Sequence, residues 1–326
     1  MNARYLERYA RQLVAMVQMP ITLAVLPHGP EAERMHLLSR AEIVISGEWT
    51  AAMGRAAQRL RFLQVSAAGC DKIDAAAIPE GVLVANCYEH EWPVAEYVLM
   101  MCMALSRRLL EADRALRRGD WRLWPAAGTI LRAELRGRTI GLIGLGHIGR
   151  AVATLAAAFH MRTIGIDAKP ISDEVRQSLG LAWAGTPDDL ARLLRESDFV
   201  VVAVPLNAQT RGMLGARELA LLGPDAYLIN PARGAIVDEQ ALYEALRSRS
   251  LAGAALDTWW QYPHDDEGGP PSRFPFAALD NVIMTPHNSA TTLETVERRV
   301  HAIAANIKRF LRGEPVRHVV PELSRA

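Results

Sequence analysis

The chain has 326 residues, half of them hydrophobic, and a formal net charge of +1 from 37 basic and 36 acidic side chains. That length exceeds what one core usually supports, so two domains are expected. The near-neutral balance argues against nucleic acid or any strongly charged partner.

The cysteines, Cys70, Cys87 and Cys102, show neither CxxC spacing nor a neighbouring histidine cluster. They read as reduced thiols of a cytoplasmic protein, with no metal site. No uninterrupted apolar run reaches the roughly 20 residues that span a bilayer, so a soluble protein without membrane partners is expected.

In chain order, Leu6, Tyr9, Leu13 and Met16 recur at helical spacing, predicting an amphipathic helix rather than a secretory signal. Arg4, Arg8 and Arg11 outnumber Glu7, so a mitochondrial presequence stays open as the alternative. Strands are predicted at 21–26, 43–46, 62–65 and 82–85, with a helix at 31–39, making a small α/β unit. A long helix then starts at Pro93, which suits a first turn, and runs to Arg118 before Gly119.

Residues 139–167 carry the strongest signal. A buried strand at 140–143 leads into Gly144, Gly146 and Gly149, the G-x-G-x-x-G spacing, with His147 and Ile148 between them. A helix at 148–159 and a strand at 163–166 follow, and the strand delivers Asp167 at its carboxyl end. Glycine permits a tight turn and close backbone approach, a helix N-terminus favours a pyrophosphate, and a carboxylate accepts from ribose hydroxyls. Asp167 would repel a 2′-phosphate and Ala168 offers no arginine to bind one, which favours NAD over NADP, although Lys169 lies close by.

Strands follow at 199–204, 227–230, 252–256 and 282–284. Thr186-Pro187-Asp188-Asp189 reads as a capped helix start, and Asp238 caps a helix through Arg247. Gly268-Gly269-Pro270-Pro271 marks a loop, and one more helix runs from after Thr291 to about Leu311. Such alternation implies a parallel sheet covered on both faces.

The segments VSAAGCDKID (65–74), VAEYVL (94–99), the glycine unit, VAVPLNAQTRGML (202–214), INPARGAIVDEQAL (229–242), AALD (254–257) and MTPH (284–287) occur in this order. Together they make the chain resemble the D-isomer-specific 2-hydroxyacid dehydrogenases, a group that includes glyoxylate/hydroxypyruvate reductases and phosphoglycerate, formate and phosphite dehydrogenases. The resemblance implies an α/β fold of two Rossmann-like domains with doubly wound parallel sheets. A nucleotide-binding domain (99–290) is inserted into a discontinuous substrate domain (1–98 and 291–326), with the active site in the cleft and a homodimer held largely through the nucleotide domains.

Chemistry and resemblance agree on the central residues. Reduction of a 2-oxo acid by NADH needs a cation for the carboxylate and carbonyl oxygens and an acid for the forming alkoxide. Arg233, at a strand end in NPARG, suits the first task, and His287, at a strand end in MTPH, suits the second. The resemblance further implies that the amides of Ala68 and Gly69 meet the substrate carboxylate and that Asp257 orients the nicotinamide carboxamide. It also places Val204, Pro205 and Thr210 along the cofactor.

The family places a glutamate beside the catalytic histidine, in a segment like D-V-F-x-x-E-P. Here Asp257-Thr258-Trp259-Trp260-Gln261-Tyr262-Pro263 puts Tyr262 there. A neutral phenol orients imidazole without stabilising imidazolium as a carboxylate does, so a less elevated histidine pKa is expected, unless Asp265, Asp266 or Glu267 substitutes.

Formate dehydrogenases place a neutral glutamine at this point, but the asparagine with which they hold formate aligns with His90 here. His90 is read as selecting the substrate R group or seating the long helix, and Trp259 and Trp260 as an apolar wall or as packing. The expected function is NAD-dependent transfer of a hydride between nicotinamide and a D-2-hydroxyacid/2-oxo acid pair. Formate- or phosphite-type oxidation and NAD(H) sensing without turnover are the alternatives.

Overall fold

The structure is a computed structural model that describes residues 3–25, 31–127, 131–263 and 268–324. It contains, in chain order, α1 (Ala3–Val17), α2 (Glu31–Leu38), β1 (Ile43–Ser46), α3 (Ala51–Ala56), β2 (Phe62–Val65), β3 (Leu83–Ala85), α4 (Glu91–Arg107) and α5 (Leu109–Arg117). Then come β4 (Thr139–Ile143), α6 (His147–Ala158), β5 (Arg162–Ile166), α7 (Asp173–Ser178), β6 (Leu181–Gly185), α8 (Leu190–Glu196) and β7 (Phe199–Val202). The chain closes with α9 (Ala216–Ala220), β8 (Tyr227–Asn230), α10 (Glu239–Arg247), β9 (Gly253–Leu256), β10 (Val282–Met284) and α11 (Leu293–Leu311). It divides into two compact units, Met1–Glu89 with Thr291–Ala326, and His90–Ala290.

The first unit carries a parallel sheet in the order β1-β2-β3. Tyr9, Leu13 and Val17 of α1 pack against Val300, Ile303, Ala304 and Ile307 of α11, so the N-terminal amphipathic stripe is core. The side chain of Leu6 lies outside the described set. One buried polar pair ties α11 to this sheet. Asn306 donates to Gln64 Oε1 at 2.9 Å, and Gln64 donates to the carbonyls of Val65, Ala85 and Asn86. Both side chains are buried, and every one of these bonds replaces a lost water contact.

The second unit carries a parallel sheet in the order β10-β9-β8-β7-β4-β5-β6. Alternation along each strand sends residues to opposite faces. Ile140, Leu142, Phe199, Val201 and Ile229 join one core with α4 and α6, while Ile143, Val200, Val202 and Leu228 join the other with α8 and α10. Each fully buried aliphatic side chain contributes roughly 1.5–3 kcal/mol, so the two layers hold the sheet from both sides. Strand order reverses between β4 and β7, and in open α/β sheets that switch point is where ligands bind.

Two expectations are corrected. Residues 21–25 form no strand, and Leu26 lies outside the described residues; Leu23 and Val25 are more than a third exposed, so this run lacks the burial that a covered strand has. The helix predicted from 93 to 118 is two helices, because Arg108 turns left-handed (φ 51°, ψ 43°) and its amide closes α4 on the carbonyls of Ala104 and Leu105. Strand β6 and helix α7 were not anticipated. The strand is alanine-rich and at the edge, and it is pinned by Trp183 Nε1 donating to Glu196 of α8, which Arg162 of β5 also reaches.

No helix among the described residues is long and apolar enough to cross a membrane. None of the described His, Cys, Asp and Glu residues group in threes that could hold a metal ion.

Candidate active site

The glycine turn after β4 has a distinct constraint at each position. Gly144 sits at φ +104°, and a Cβ there would lie 2.5 Å from the Ala203 carbonyl oxygen at the end of β7. Gly149 lies against the Gly144 carbonyl, where a Cβ would be at 2.0 Å, so helix and turn touch through backbone alone. Gly146 is the residue before α6, and a Cβ on it would meet nothing within 4 Å. The open space therefore lies at the helix N-terminus, beside His147 and Ile148, where first-turn amides and the helix dipole favour an anion. Asp167, at the end of β5, accepts from Leu145 N at 2.8 Å and Lys169 N at 3.2 Å, which holds its carboxylate beside the same turn. This cradle fits a dinucleotide.

After β7, Val204 and Pro205 begin a loop that closes on itself. Thr210 Oγ1 donates to the Pro205 carbonyl at 2.6 Å and accepts from Asn207 N, while Asn207 Oδ1 accepts from the amides of Gln209 and Thr210. The side chain of Thr210 is thereby spent on loop shape.

Arg233 follows β8. The turn that presents it is set by Asn230, which has no exposed surface: its amide donates to the Arg233 carbonyl at 2.9 Å and its Oδ1 accepts from Ala232 N. Gly234 then passes so close to the next strand end that a Cβ would lie 2.4 Å from the Trp259 carbonyl carbon. Arg233 is half-buried and donates to the Ala232 carbonyl. Sequence reading missed Asn230 and Gly234, although both stand inside the motif that it used.

His287 follows β10 in the left-handed region, φ +56°, a conformation costly for a side chain with a Cβ and found at functional sites. Its Nδ1 lies 2.9 Å from Tyr262 Oη, and that oxygen accepts from Trp259 N at 3.3 Å. Tyr262 thus stands beside the histidine as expected. The rescuing acids Asp265, Asp266 and Glu267 lie outside the described residues.

Asp257 follows β9. It is fully buried, and its carboxylate accepts from Thr285 Oγ1 at 2.6 Å and from the amides of Asn288 and Ser289 at 3.0 Å. It ties together residues on both sides of His287 in the chain. Trp259 and Trp260 are packing residues: Trp260 stacks on Phe276 at 5.5 Å, and the indoles donate to the carbonyls of Thr285 and Val237.

His90 is the residue before α4, and its carbonyl accepts from Val94 N at 3.2 Å, a helix-seating position. In the first unit, Ala68 and Gly69 lie in the turn after β2. The Ala68 carbonyl accepts from Asn86 Nδ2 at 2.8 Å, and among the described residues the amides of Ala68 and Gly69 meet no acceptor. Asn86 was another residue that sequence reading did not single out.

Gly144, Gly146, Gly149, Asp167 and Val204 therefore converge at the switch point. On the adjoining strand ends of the same sheet, Tyr262 and His287 form a hydrogen-bonded pair, and Asp257 binds the residues that flank His287 in the chain.

Comparison with known proteins agrees with this geometry. Residues 99–289 match the family described as D-isomer specific 2-hydroxyacid dehydrogenase, NAD binding domain. The chain is 38% identical over 266 residues to D-3-phosphoglycerate dehydrogenase of Methanocaldococcus jannaschii, covering 81% of this chain and 48% of that one, so it spans about half the length of that relative. It is 36% identical over 261 residues to glyoxylate reductase of Korarchaeum cryptofilum, covering 79% of this chain and 75% of that one. Among solved structures, the acyclic imino acid reductase Bsp5 in complex with NADPH and D-Arg is similar, with a TM-score of 0.76, 32% identity and coverage of 90% and 89%. On the matched domain, the identity to these relatives and the switch-point cradle, the chain belongs to the D-isomer specific 2-hydroxyacid dehydrogenase family of oxidoreductases.

Proposed function

We propose that the protein is an NAD-dependent reductase of a 2-oxo acid, acting on a D-2-hydroxyacid/2-oxo acid pair of the glyoxylate or hydroxypyruvate kind, with His287 as the acid/base. The observation that carries this reading is His287 itself, held left-handed at a strand end with Nδ1 on Tyr262 Oη at 2.9 Å. In this reading His287 meets the substrate oxygen through Nε2 while Tyr262 Oη holds Nδ1.

The cofactor cradle is assigned to Gly144, Gly146, His147, Ile148 and Gly149 under the pyrophosphate, with Asp167 toward the ribose and Val204 and Pro205 alongside. A reduced nicotinamide held there supplies a hydride to the substrate carbon. Arg233 binds the substrate carboxylate and carbonyl oxygens through its forked donors, and His287 gives its proton to the oxygen that gains the electron pair. The carboxylate of Asp167 favours NAD, whereas Bsp5 holds NADPH.

A homodimer through the nucleotide domain is part of the proposal. Met100 and Met103 of α4, Leu109 and Leu116 of α5, and Trp121 and Trp124 after it are between 39% and 61% exposed, an apolar surface of the kind that a second subunit covers.

A second reading follows from the neutral phenol at His287. A protonated 2-imino acid needs no proton when its carbon accepts the hydride, because the electron pair settles on nitrogen as a neutral amine. An uncharged imidazole also avoids repelling that cation. The similar protein Bsp5 is an acyclic imino acid reductase, which supports this second reading.

The test is NADH oxidation, followed by its near-ultraviolet absorbance, against 2-oxo acids alone and with added ammonia or methylamine. Turnover of the oxo acids alone, abolished in His287→Asn and in Arg233→Ala, is the expected outcome. Turnover only with amine present would replace it by the second reading.

A further inference from the structure

A buried chain of hydroxyls ends at the strand that carries His287. Tyr97 of α4 is 5% exposed, and its hydroxyl lies 2.9 Å from Thr285 Oγ1. Thr285 Oγ1 lies 2.6 Å from Asp257 Oδ1, and the same carboxylate takes the amides of Asn288 and Ser289. The direction of donation is forced, since an ionised carboxylate only accepts: Thr285 donates to Asp257, and Tyr97 donates to Thr285. Burial, and in addition the Asp257 charge, hold the Tyr97 phenol above its ordinary range, so it stays a donor. Thr285 is fixed a third way, because its carbonyl accepts from Trp259 Nε1 at 2.8 Å.

The residues on either side of His287 are thus tied to one carboxylate, while the histidine between them takes φ +56°. Such a conformation persists only where its surroundings over-determine it.

We propose that Tyr97 and Thr285 are positioning residues which, through Asp257, hold the His287 backbone in the left-handed conformation that presents its imidazole to substrate. This rests on the reading of His287 as the acid. It assigns Asp257 to the histidine loop, and it gives α4 a functional side chain. Tyr97 and Thr285 touch neither substrate nor cofactor in this assignment. Their effect falls on the proton-transfer step and leaves binding unchanged.

The experiment compares Tyr97→Phe, Thr285→Val and Thr285→Ser, none of which changes side-chain volume much. With NADH and glyoxylate, kcat is expected to fall about tenfold in Tyr97→Phe and about a hundredfold in Thr285→Val, as for misplaced catalytic groups. KM for NADH should stay within about twofold, and Thr285→Ser, which keeps the hydroxyl, should stay near wild type. An unchanged kcat in both Tyr97→Phe and Thr285→Val, or a loss that falls on NADH binding instead, overturns the proposal.

Imidazole nitrogen–proton correlation spectra of the NADH-loaded protein decide the matter independently of turnover. The His287 signal, identified by its disappearance in His287→Asn, should shift or split in Thr285→Val and return in Thr285→Ser. A signal unmoved in Thr285→Val overturns the proposal even if glyoxylate is not a substrate. Inactivity of wild type with every oxo acid would instead count against the proposed function alone.

Discussion

Gly146 and Gly149 sit in one motif, but different atoms constrain them. A methyl group on Gly149 would lie 2.0 Å from the Gly144 carbonyl oxygen, so Gly149→Ala must push α6 from the turn. It is expected to destabilise the protein by about 1–3 kcal/mol, read by denaturant unfolding. A methyl group on Gly146 meets no protein atom, so Gly146→Ala should leave stability within about 0.5 kcal/mol while raising KM for NADH.

Tyr262→Glu places a carboxylate next to His287 Nδ1, where it favours the protonated ring. The pH optimum of 2-oxo-acid reduction should therefore move upward, because the acid form survives to higher pH. An optimum that does not move would show that proton supply from His287 does not limit the reaction.

These residues also show why the site was only partly legible. Glycine spacing and the Tyr262 substitution are local patterns and could be read directly. Asn230, Asn86 and the buried role of Asp257 could not, since each depends on which backbone groups arrive beside it.

Between elements, side chains decide where helices stop and how loops attach. Arg108 breaks the helix predicted from 93 to 118 without glycine or proline, which is why no sequence signal announced the break. Arg108→Gly relieves the left-handed strain and should stabilise the junction by about 1 kcal/mol, less what the lost Glu111 ion pair contributes, measured as a rise in denaturation midpoint.

Glu239 at the start of α10 anchors the loop that returns toward β10. It accepts from Ser272 Oγ and Arg273 N at 2.8 Å and from Arg273 Nε at 2.7 Å. Burial alone would raise this carboxyl, but those donors outweigh it and hold it below its ordinary value. A depressed folded value means the contribution is present above the unfolded carboxylate range and is lost as pH falls through the folded one. Glu239→Gln should cost about 2 kcal/mol at pH 7, and the difference from wild type should shrink in melts taken toward pH 3.

Across the molecule, the proposed dimer and the cofactor preference can be measured together. Sedimentation should give a dimer for wild type and a shift toward monomer for Leu116→Glu or Trp121→Glu, both at exposed apolar positions. A ligand at a hundred times its Kd stabilises by about 2.7 kcal/mol, so NADH should raise the melting temperature more than NADPH does. Asp167→Ala should narrow that gap.

The alternating β and α pattern, the glycine turn at a strand end and the ordered motifs follow from periodicities of a few residues, and they were enough to establish an α/β fold with a dinucleotide cradle. Short-range sterics and hydrophobic alternation act on neighbours in sequence, so one chain read linearly contains them. The strand order with its switch point, the left-handed Arg108 and His287, the packing of Trp259 and Trp260, and the path from Tyr97 through Thr285 to Asp257 were decided only by the tertiary structure. Residues 97 and 285 meet because α4 covers the sheet that carries β10, and the partners of a hydrogen bond are set by such three-dimensional neighbours rather than by spacing along the chain.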